Sequence, residues 1–463
     1  MPVDAAYRPE PAFAALGGEF SDPVEAAAFP ELAPRFWNAK AAATVGLSGL
    51  TAAERAAHFG RFEPLPGQPG PRAMRYHGHQ FRTYNPDLGD GRGFLAAQLR
   101  AADGRLLDLG TKGSGTTPWS RSGDGRLTLK GGVREVLAAA MLEHQGVPTS
   151  RAFALYETGE ALVRGDEPSP TRSAVLTRLS WSHVRFGTFQ RLAYFGRAEE
   201  MRALIDHVVA LHYPELLPLE GATARAPALL EAVGARTAEM LAGWMAAGFV
   251  HGVLNTDNMN INGESFDYGP WRWLPWSDPE FTAAYFDHSR LYAFGRQPHA
   301  VFWNLQQLAA TLTLVEPDKD ALVAALNAFA PAYRRALAAA MLRRLGVASA
   351  GETADEALAE AVFDALAEGG PRLRWEPLFH DWRGGAAAEA RAMSGPRAAH
   401  YAGEAATAFR QRLRAHAPAA PPAEGKPEEM LIDEVEAIWA AIAERDDWTP
   451  LHAKLARLAP GAG

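Results

Sequence analysis

Cysteine is missing from all 463 residues. That absence excludes disulfides, thiolate metal sites and cysteine nucleophiles. No apolar run reaches the length a bilayer-spanning helix needs. The N-terminal stretch MPVDAAYRPEPAF has no basic segment followed by an apolar one, so it does not read as a signal peptide. An excess of basic residues is also lacking. The formal net charge is -8 and 22% of residues are charged, which argues against general nucleic-acid affinity. No internal repeat is found. The expectation is a soluble, cytoplasmic protein with neither nucleic acid nor membrane among its partners. Apolar residues make up 48% of the chain, ample for a large core and for two or three domain-sized units.

The pattern changes along the chain. Residues 1–70 alternate Pro-rich turns with short helical pieces such as TAAERAAHFGRF and read as an N-terminal extension. Over 71–195 strands dominate. FLAAQLR and LLDLGTKG predict a hairpin with ADG as its turn, FALYETGEALVRG predicts another hairpin, and SAVLTRLS a further strand. Between them VREVLAAAMLEHQGV predicts an amphipathic helix closed by Gly146 and Pro148. Over 196–415 the pattern is helical, with EEMRALIDHVVALHY, LLEAVGARTAEMLAGWMAAGF, WNLQQLAATLTLV and KDALVAALNAFAPAYRRALAAAMLRRLG. Over 416–463 the Pro/Ala stretch APAAPPAEGKPEE predicts a linker before a last helical segment. A sheet-bearing part before a helix-rich part predicts an α+β fold in two lobes.

Four stretches carry polar residues where chemistry could sit. LGDGRG, Leu88 to Gly93, has closely spaced glycines that let backbone N–H groups approach phosphate oxygens, although such glycines also make plain turns. DLGTKGSGTTPWSR places Lys112 at the end of a predicted strand, where it could reach a phosphate or simply be solvated. Glu135 lies early on the following helix, where a surface carboxylate would also be at home. HGVLNTDNMNINGESFDYG, His251 to Gly269, sets Asp257, Asn258 and Asp267 between core-like segments. The pair His77 and His79 in HGHQF brings no further metal ligands with it and fits hydrogen-bonding roles.

The order of these pieces matters more than any one of them. Protein kinases carry a catalytic loop H-R-D-L-x-x-x-N followed by D-F-G. With His251 on the kinase histidine, Asn258 falls on the metal-binding asparagine and Asp267-Tyr268-Gly269 on D-F-G. Glycine loop, Lys112, Glu135, Asn258 and Asp267 then occur in kinase order. The catalytic aspartate is missing, because Val253 stands in its place and valine cannot accept a proton. Such a site is either inactive or uses another base, for which neighbouring Asp257 is the candidate.

The stretches GHQF, LGDGRG, KGSGTTPWSRSGDGR, LTRLSWSHVRFG, GFVHGVLNTDNMNINGESFDYGP and GRQPHAVFWNLQQLA together resemble the selenoprotein O family of pseudokinases, which are protein adenylyltransferases. The resemblance implies a bilobal protein-kinase-like fold in which ATP binds flipped, so that AMP passes to Ser, Thr or Tyr hydroxyls of protein substrates. It implies Asp257 as proton acceptor, Asn258 and Asp267 as ligands of Mg²⁺, with Mn²⁺ as the alternative ion, and Glu135 as the partner of the lysine. It further implies nucleotide contacts at Gly89, Gly91, Arg92, Lys112, Asp124, Gly125, Arg178 and Arg185. This chain differs from the family's usual pattern in RTYNPDLGDGR after GHQF and in Trp119, where tyrosine is commoner. Two other readings stay open: a phosphoryl-transferring kinase, which Val253 opposes, and a nucleotide-binding scaffold without turnover.

Overall fold

The computed structural model describes residues 4–165 and 167–459. The first three residues of the N-terminal stretch read above lie outside that description. The fold mixes α and β structure, with an antiparallel sheet in the first part of the chain and helices in the second. The strands are β1 (Ser21–Pro23), β2 (Ala33–Trp37), β3 (Arg72–Met74), β4 (Gly78–Gln80), β5 (Thr83–Asn85), β6 (Leu95–Arg100), β7 (Leu106–Lys112), β8 (Leu127–Thr128), β9 (Arg151–Leu162), β10 (Thr171–Ser180), β11 (Phe249–Val250) and β12 (Arg272–Trp273). Eight of them form one sheet in the order β1-β3-β6-β7-β10-β9-β2, with β8 paired to β10. β4 and β5 make a separate hairpin, and β11 pairs with β12.

Among the helices, α1 (Ala39–Thr44), α2 (Ala52–Phe59) and α3 (Leu129–His144) lie in the sheet-bearing part. Next come α4 (Phe186–Tyr194), α5 (Ala198–His212), α6 (Gly221–Ala247), α7 (Gln297–Leu312), α8 (Lys319–Asn327), α9 (Phe329–Leu345) and α10 (Glu352–Gly369). The chain closes with α11 (Trp375–Trp382), α12 (Glu389–Ser394), α13 (Glu404–Leu413), α14 (Ile432–Arg445) and α15 (Thr449–Leu458). Among the described residues, no helix is long and apolar enough to cross a membrane.

The sheet separates two cores, as a strand's period of two requires. Val175 of β10 faces Phe59, Leu99 and Phe153, under α1 and α2. Its neighbours Ala174 and Leu176 face α3 and join the core that runs on through the helices. β7 is buried along its whole length, so the lysine at its end points into the interior. α3 starts at Leu129 because the Thr128 side chain accepts the Gly131 N–H, an N-cap. α6 is buried for most of its length and ends at Gly248, whose φ of 66° is left-handed. That reversal leads directly into β11 and the polar loop after it.

FALYETGEALVRG is not the hairpin its sequence predicts. It is a single strand, β9, paired with β10 from Leu162 to Arg151. Gly159 has a φ of 75°, and the register slips between Arg172 and Ala174. The Thr-Gly-Glu sequence therefore makes a bulge within a continuing strand.

The Pro/Ala stretch has no regular secondary structure but is held in place. Ala348 N–H donates to Ala417 O at 2.8 Å, and buried Lys454 binds Glu428 and Glu434, each at 2.9 Å. α14 and α15 pack on α3. Lys130 of α3 pairs with Glu436 at 2.7 Å, and Asp446 takes Arg172 at 2.7 Å.

Candidate active site

Lys112 and Glu135 meet between the sheet and α3. Both side chains are buried, and the Lys112 ammonium donates to Glu135 Oε1. A charge so placed is tolerated only when paired. Burial holds the Lys112 ammonium below the ordinary lysine range, with Glu135 and Asp267 opposing it.

Asp267 stands beside this pair. Its φ of 59° is left-handed, a conformation that is uncommon for any residue but glycine and that turns the carboxylate back toward Lys112, 3.5 Å away. Arg178 donates to Oδ1 at 2.6 Å and Arg185 to Oδ2 at 2.7 Å. Burial alone would raise the Asp267 carboxyl, but Arg178, Arg185 and Lys112 outweigh it and hold it well below the usual carboxylate range. Arg178 comes from β10 and Arg185 from the N-cap of α4. Arg185 also lies 4.7 Å over the rings of Tyr76 and Phe266, and 3.7 Å from Asp90.

The loop after β11 supplies the rest. His251 is fixed by Gln297 Oε1, which accepts its N–H at 3.0 Å, and its Nε2 meets Phe266 O at 3.0 Å. Asn258 donates its side-chain amide to Val253 O at 2.9 Å, which leaves the amide oxygen outside that bond. Asp257 is different from its neighbours. Its Oδ1 is buried and has no hydrogen-bond partner. Burial pushes its carboxyl up to about 6, against the opposing charge of Arg185. Gly78 backs it, and a Cβ there would stand 3.0 Å from Oδ1.

The glycine loop is packed as well as permissive. A Cβ on Gly89 would lie 2.4 Å from Trp119 Cγ, and one on Gly91 would lie 2.9 Å from Trp119 O. Thr117 and Ser120 donate their hydroxyls to Asp90 O and Gly91 O. The 117–120 segment therefore covers the loop and takes up the room its glycines leave. Arg92 is exposed, and its charge reaches Lys112. Gly125, at φ 69°, lies against Gly115, where a Cβ would come within 2.2 Å of main-chain carbon. Asp124 pairs with Arg164 at 2.9 Å and accepts the Arg126 N–H at 3.0 Å; none of these partners belongs to the cluster around Asp267.

Lys112, Glu135, Arg178, Arg185, Asp257, Asn258 and Asp267 are thus brought together from distant parts of the chain. Two members went unread in the sequence. Asp90, between the glycines of LGDGRG, approaches Arg185 and accepts the Met74 N–H at 3.0 Å. An acid inside a glycine loop was the available signal. Tyr76, under Arg185, gave none. His77 Nδ1 contacts the Tyr84 hydroxyl at 2.8 Å and His79 Nδ1 contacts Gln190 at 2.7 Å, which are hydrogen-bonding roles.

Comparison with known proteins gives first the class. Three similar proteins are each named as a protein nucleotidyltransferase YdiU. That of Gloeobacter violaceus is 46% identical, covering 97% of this chain and 94% of its own. That of Synechocystis is 43% identical, covering 98% of each. That of Synechococcus elongatus is 55% identical, covering 73% of this chain and 68% of its own. The profile of the family described as protein adenylyltransferase SelO matches residues 4–381. The chain belongs to the SelO family.

Proposed function

We propose that this protein transfers AMP from ATP to the hydroxyl of a Ser, Thr or Tyr side chain on a protein substrate. The observation that carries the reading is a substitution of roles within one turn. Val253 occupies the position of the kinase base, while Asp257, four residues on, has a buried carboxylate oxygen without a partner. The acceptor oxygen forms a bond to the α-phosphorus, and the bond from that phosphorus to the β-bridging oxygen breaks. Pyrophosphate leaves, and the hydroxyl proton passes to Asp257. Lys112, Arg178 and Arg185, with exposed Arg92, offset the charge of the departing pyrophosphate. Gly89, Gly91, Asp124 and Gly125 complete the nucleotide contacts in this reading.

Asn258 and Asp267 would hold Mg²⁺, or Mn²⁺ in its place. The donor types fit a hard cation: the Asp267 carboxylate and the Asn258 amide oxygen, which stands outside the bond to Val253. When bound, the ion neutralises phosphate charge.

The reading includes a two-lobed, kinase-like arrangement, with an N-lobe over 71–195, a C-lobe over 196–415 and flanking segments 1–70 and 416–463. It places the protein in the cytoplasm. The test uses ATP labelled at the α or the γ position. Protein-bound α label, with an AMP-sized mass increment, is expected. Protein-bound γ label would instead establish phosphoryl transfer.

A further inference from the structure

The tip of the β4–β5 hairpin has residues that its backbone disfavours. Gln80 pairs with Thr83, so Phe81 and Arg82 alone make the turn. Their φ angles are 50° and 65°, the double left-handed geometry of a type I′ turn, for which Asn-Gly is the ordinary filling. Residues held in this region are strained and persist where surrounding structure fixes them. Here the fixing comes from the loop that carries Asp257. His79 N–H donates to Thr256 Oγ1 at 2.7 Å, and Phe81 N–H to Asn255 Oδ1 at 3.1 Å. Asn255 Oδ1 also accepts the Tyr292 hydroxyl at 2.8 Å. The hairpin is pinned to the two residues before Asp257, and a Cβ on Gly78 at its base would stand 3.0 Å from the Asp257 carboxylate.

Outward, the tip presents aromatic surface and one cation. On one flank Phe81 packs 5.9 Å from Phe286, which is 45% exposed beside Tyr285 at 76%. On the other, Arg82 lies 5.4 Å over Trp303, and Tyr84 stacks at 5.5 Å on exposed Tyr194. A cavity of about 260 Å³ opens there between His79, Tyr84, Tyr194 and Gln307. Arg82 is exposed, and among the described residues it makes no ion pair with a carboxylate.

We infer that this surface seats the acceptor segment of the protein substrate, with Arg82 selecting an acidic side chain near the acceptor hydroxyl. The inference rests on the adenylylation reading. It is carried by the continuity of the hairpin with the Asp257 loop and by the charge that Arg82 leaves uncompensated. Aromatic residues and arginine are the types enriched where proteins meet, and an exposed aromatic patch of this kind marks an interaction site. The cavity takes an apolar or aromatic neighbour of the acceptor. A carboxylate gains a charge-assisted bond from Arg82, whereas a basic segment meets like charge.

The test uses peptide pools with a central Ser, Thr or Tyr and acidic, neutral or basic flanks, labelled with α-labelled ATP. The proteins are the wild type, Arg82→Glu and Arg82→Lys. The wild type is expected to favour the acidic pool by about tenfold in kcat/KM, as one charge-assisted contact supplies. Arg82→Glu should abolish that preference through KM, Arg82→Lys should keep most of it, and ATP affinity should be equal in all three. Equal use of acidic and basic pools by the wild type, an unchanged preference in Arg82→Glu, or labelling of folded protein but of no peptide pool would each overturn the docking surface and leave adenylylation standing. An α label that reaches neither peptide nor protein would remove both.

Discussion

Arg185 holds Asp257 by the main chain and makes no hydrogen bond to its carboxylate. The guanidinium donates to Asp257 O at 2.6 Å, and the same nitrogen donates to Asp267 Oδ2 at 2.7 Å. One arginine thus fixes the position of two aspartates while hydrogen-bonding the side chain of only one. In the proposed transfer, the Asp257 oxygen left without a partner is the one that would receive the hydroxyl proton.

Asp257→Ala is therefore expected to lower AMP transfer by about 10²–10⁴-fold, the usual contribution of a general base. ATP affinity should stay within a few-fold of wild type, because Lys112, Arg178 and Arg185 keep their places. Val253→Asp added to Asp257→Ala should not restore turnover. Transfer rates and nucleotide affinity measured side by side decide the matter; a parallel collapse of both would reduce Asp257 to a support for its neighbours.

Asp267→Ala removes the carboxylate shared by Arg178, Arg185 and Lys112. Breaking a buried pair from one side typically costs about 3–5 kcal/mol. Denaturant unfolding should show a loss of that order together with loss of transfer. Asp267→Asn, which keeps the shape and one acceptor oxygen, should lose less stability but as much activity. Wild-type turnover in a folded Asp267→Ala protein would exclude the position from the site.

Glu264 gives a pH test away from the cluster. It accepts the Trp181 N–H at 2.6 Å, and burial pushes its carboxyl up to about 7 from an ordinary 4.5. A raised folded-state value means that the folded protein holds this proton more tightly. The associated stability is full below about pH 4.5 and is lost as pH rises through about 7. Glu264→Gln should therefore gain stability relative to wild type as pH rises from 5 to 8, by at most about 2–3 kcal/mol. A difference that does not change with pH would show that the carboxyl does not titrate in this window.

Dithiothreitol should leave the purified protein's activity unchanged, since no thiol exists to be switched. A reversible response to reductant, assayed with the protein alone, would require different chemistry.

Lys112 and Glu135 were legible from their place in the kinase order and from the family resemblance, which implied their pairing; each taken alone read equally well as a surface charge. The hairpin of β6 and β7 was legible from its alternation and its ADG turn. Other features lacked a local signal. Gly159 reads as a turn, yet pairing with the long neighbour β10 carries the strand through it. KDALVAALNAFAPAYRRALAAAMLRRLG reads as one helix but breaks into α8 and α9 around Ala328, with Pro331 tolerated in the first turn of the second. The grip of Arg185 on both aspartates joins α4 to a loop some 80 residues away, and no periodicity encodes such a contact. Composition also misleads over the Pro/Ala stretch. Its proline content suggests a free linker, but the chain on either side anchors it.

The packing of α14 and α15 on α3 sets an order of events. The helix that carries Glu135 is covered by residues synthesised some 300 positions later, through Lys130 and Glu436. A chain still emerging from the ribosome has its glycine loop, its lysine and both aspartates, but α3 lacks its outer cover. The cover on α3 arrives only with the C-terminal helices, so an interrupted translation product would carry every residue of the candidate site and still lack the finished scaffold.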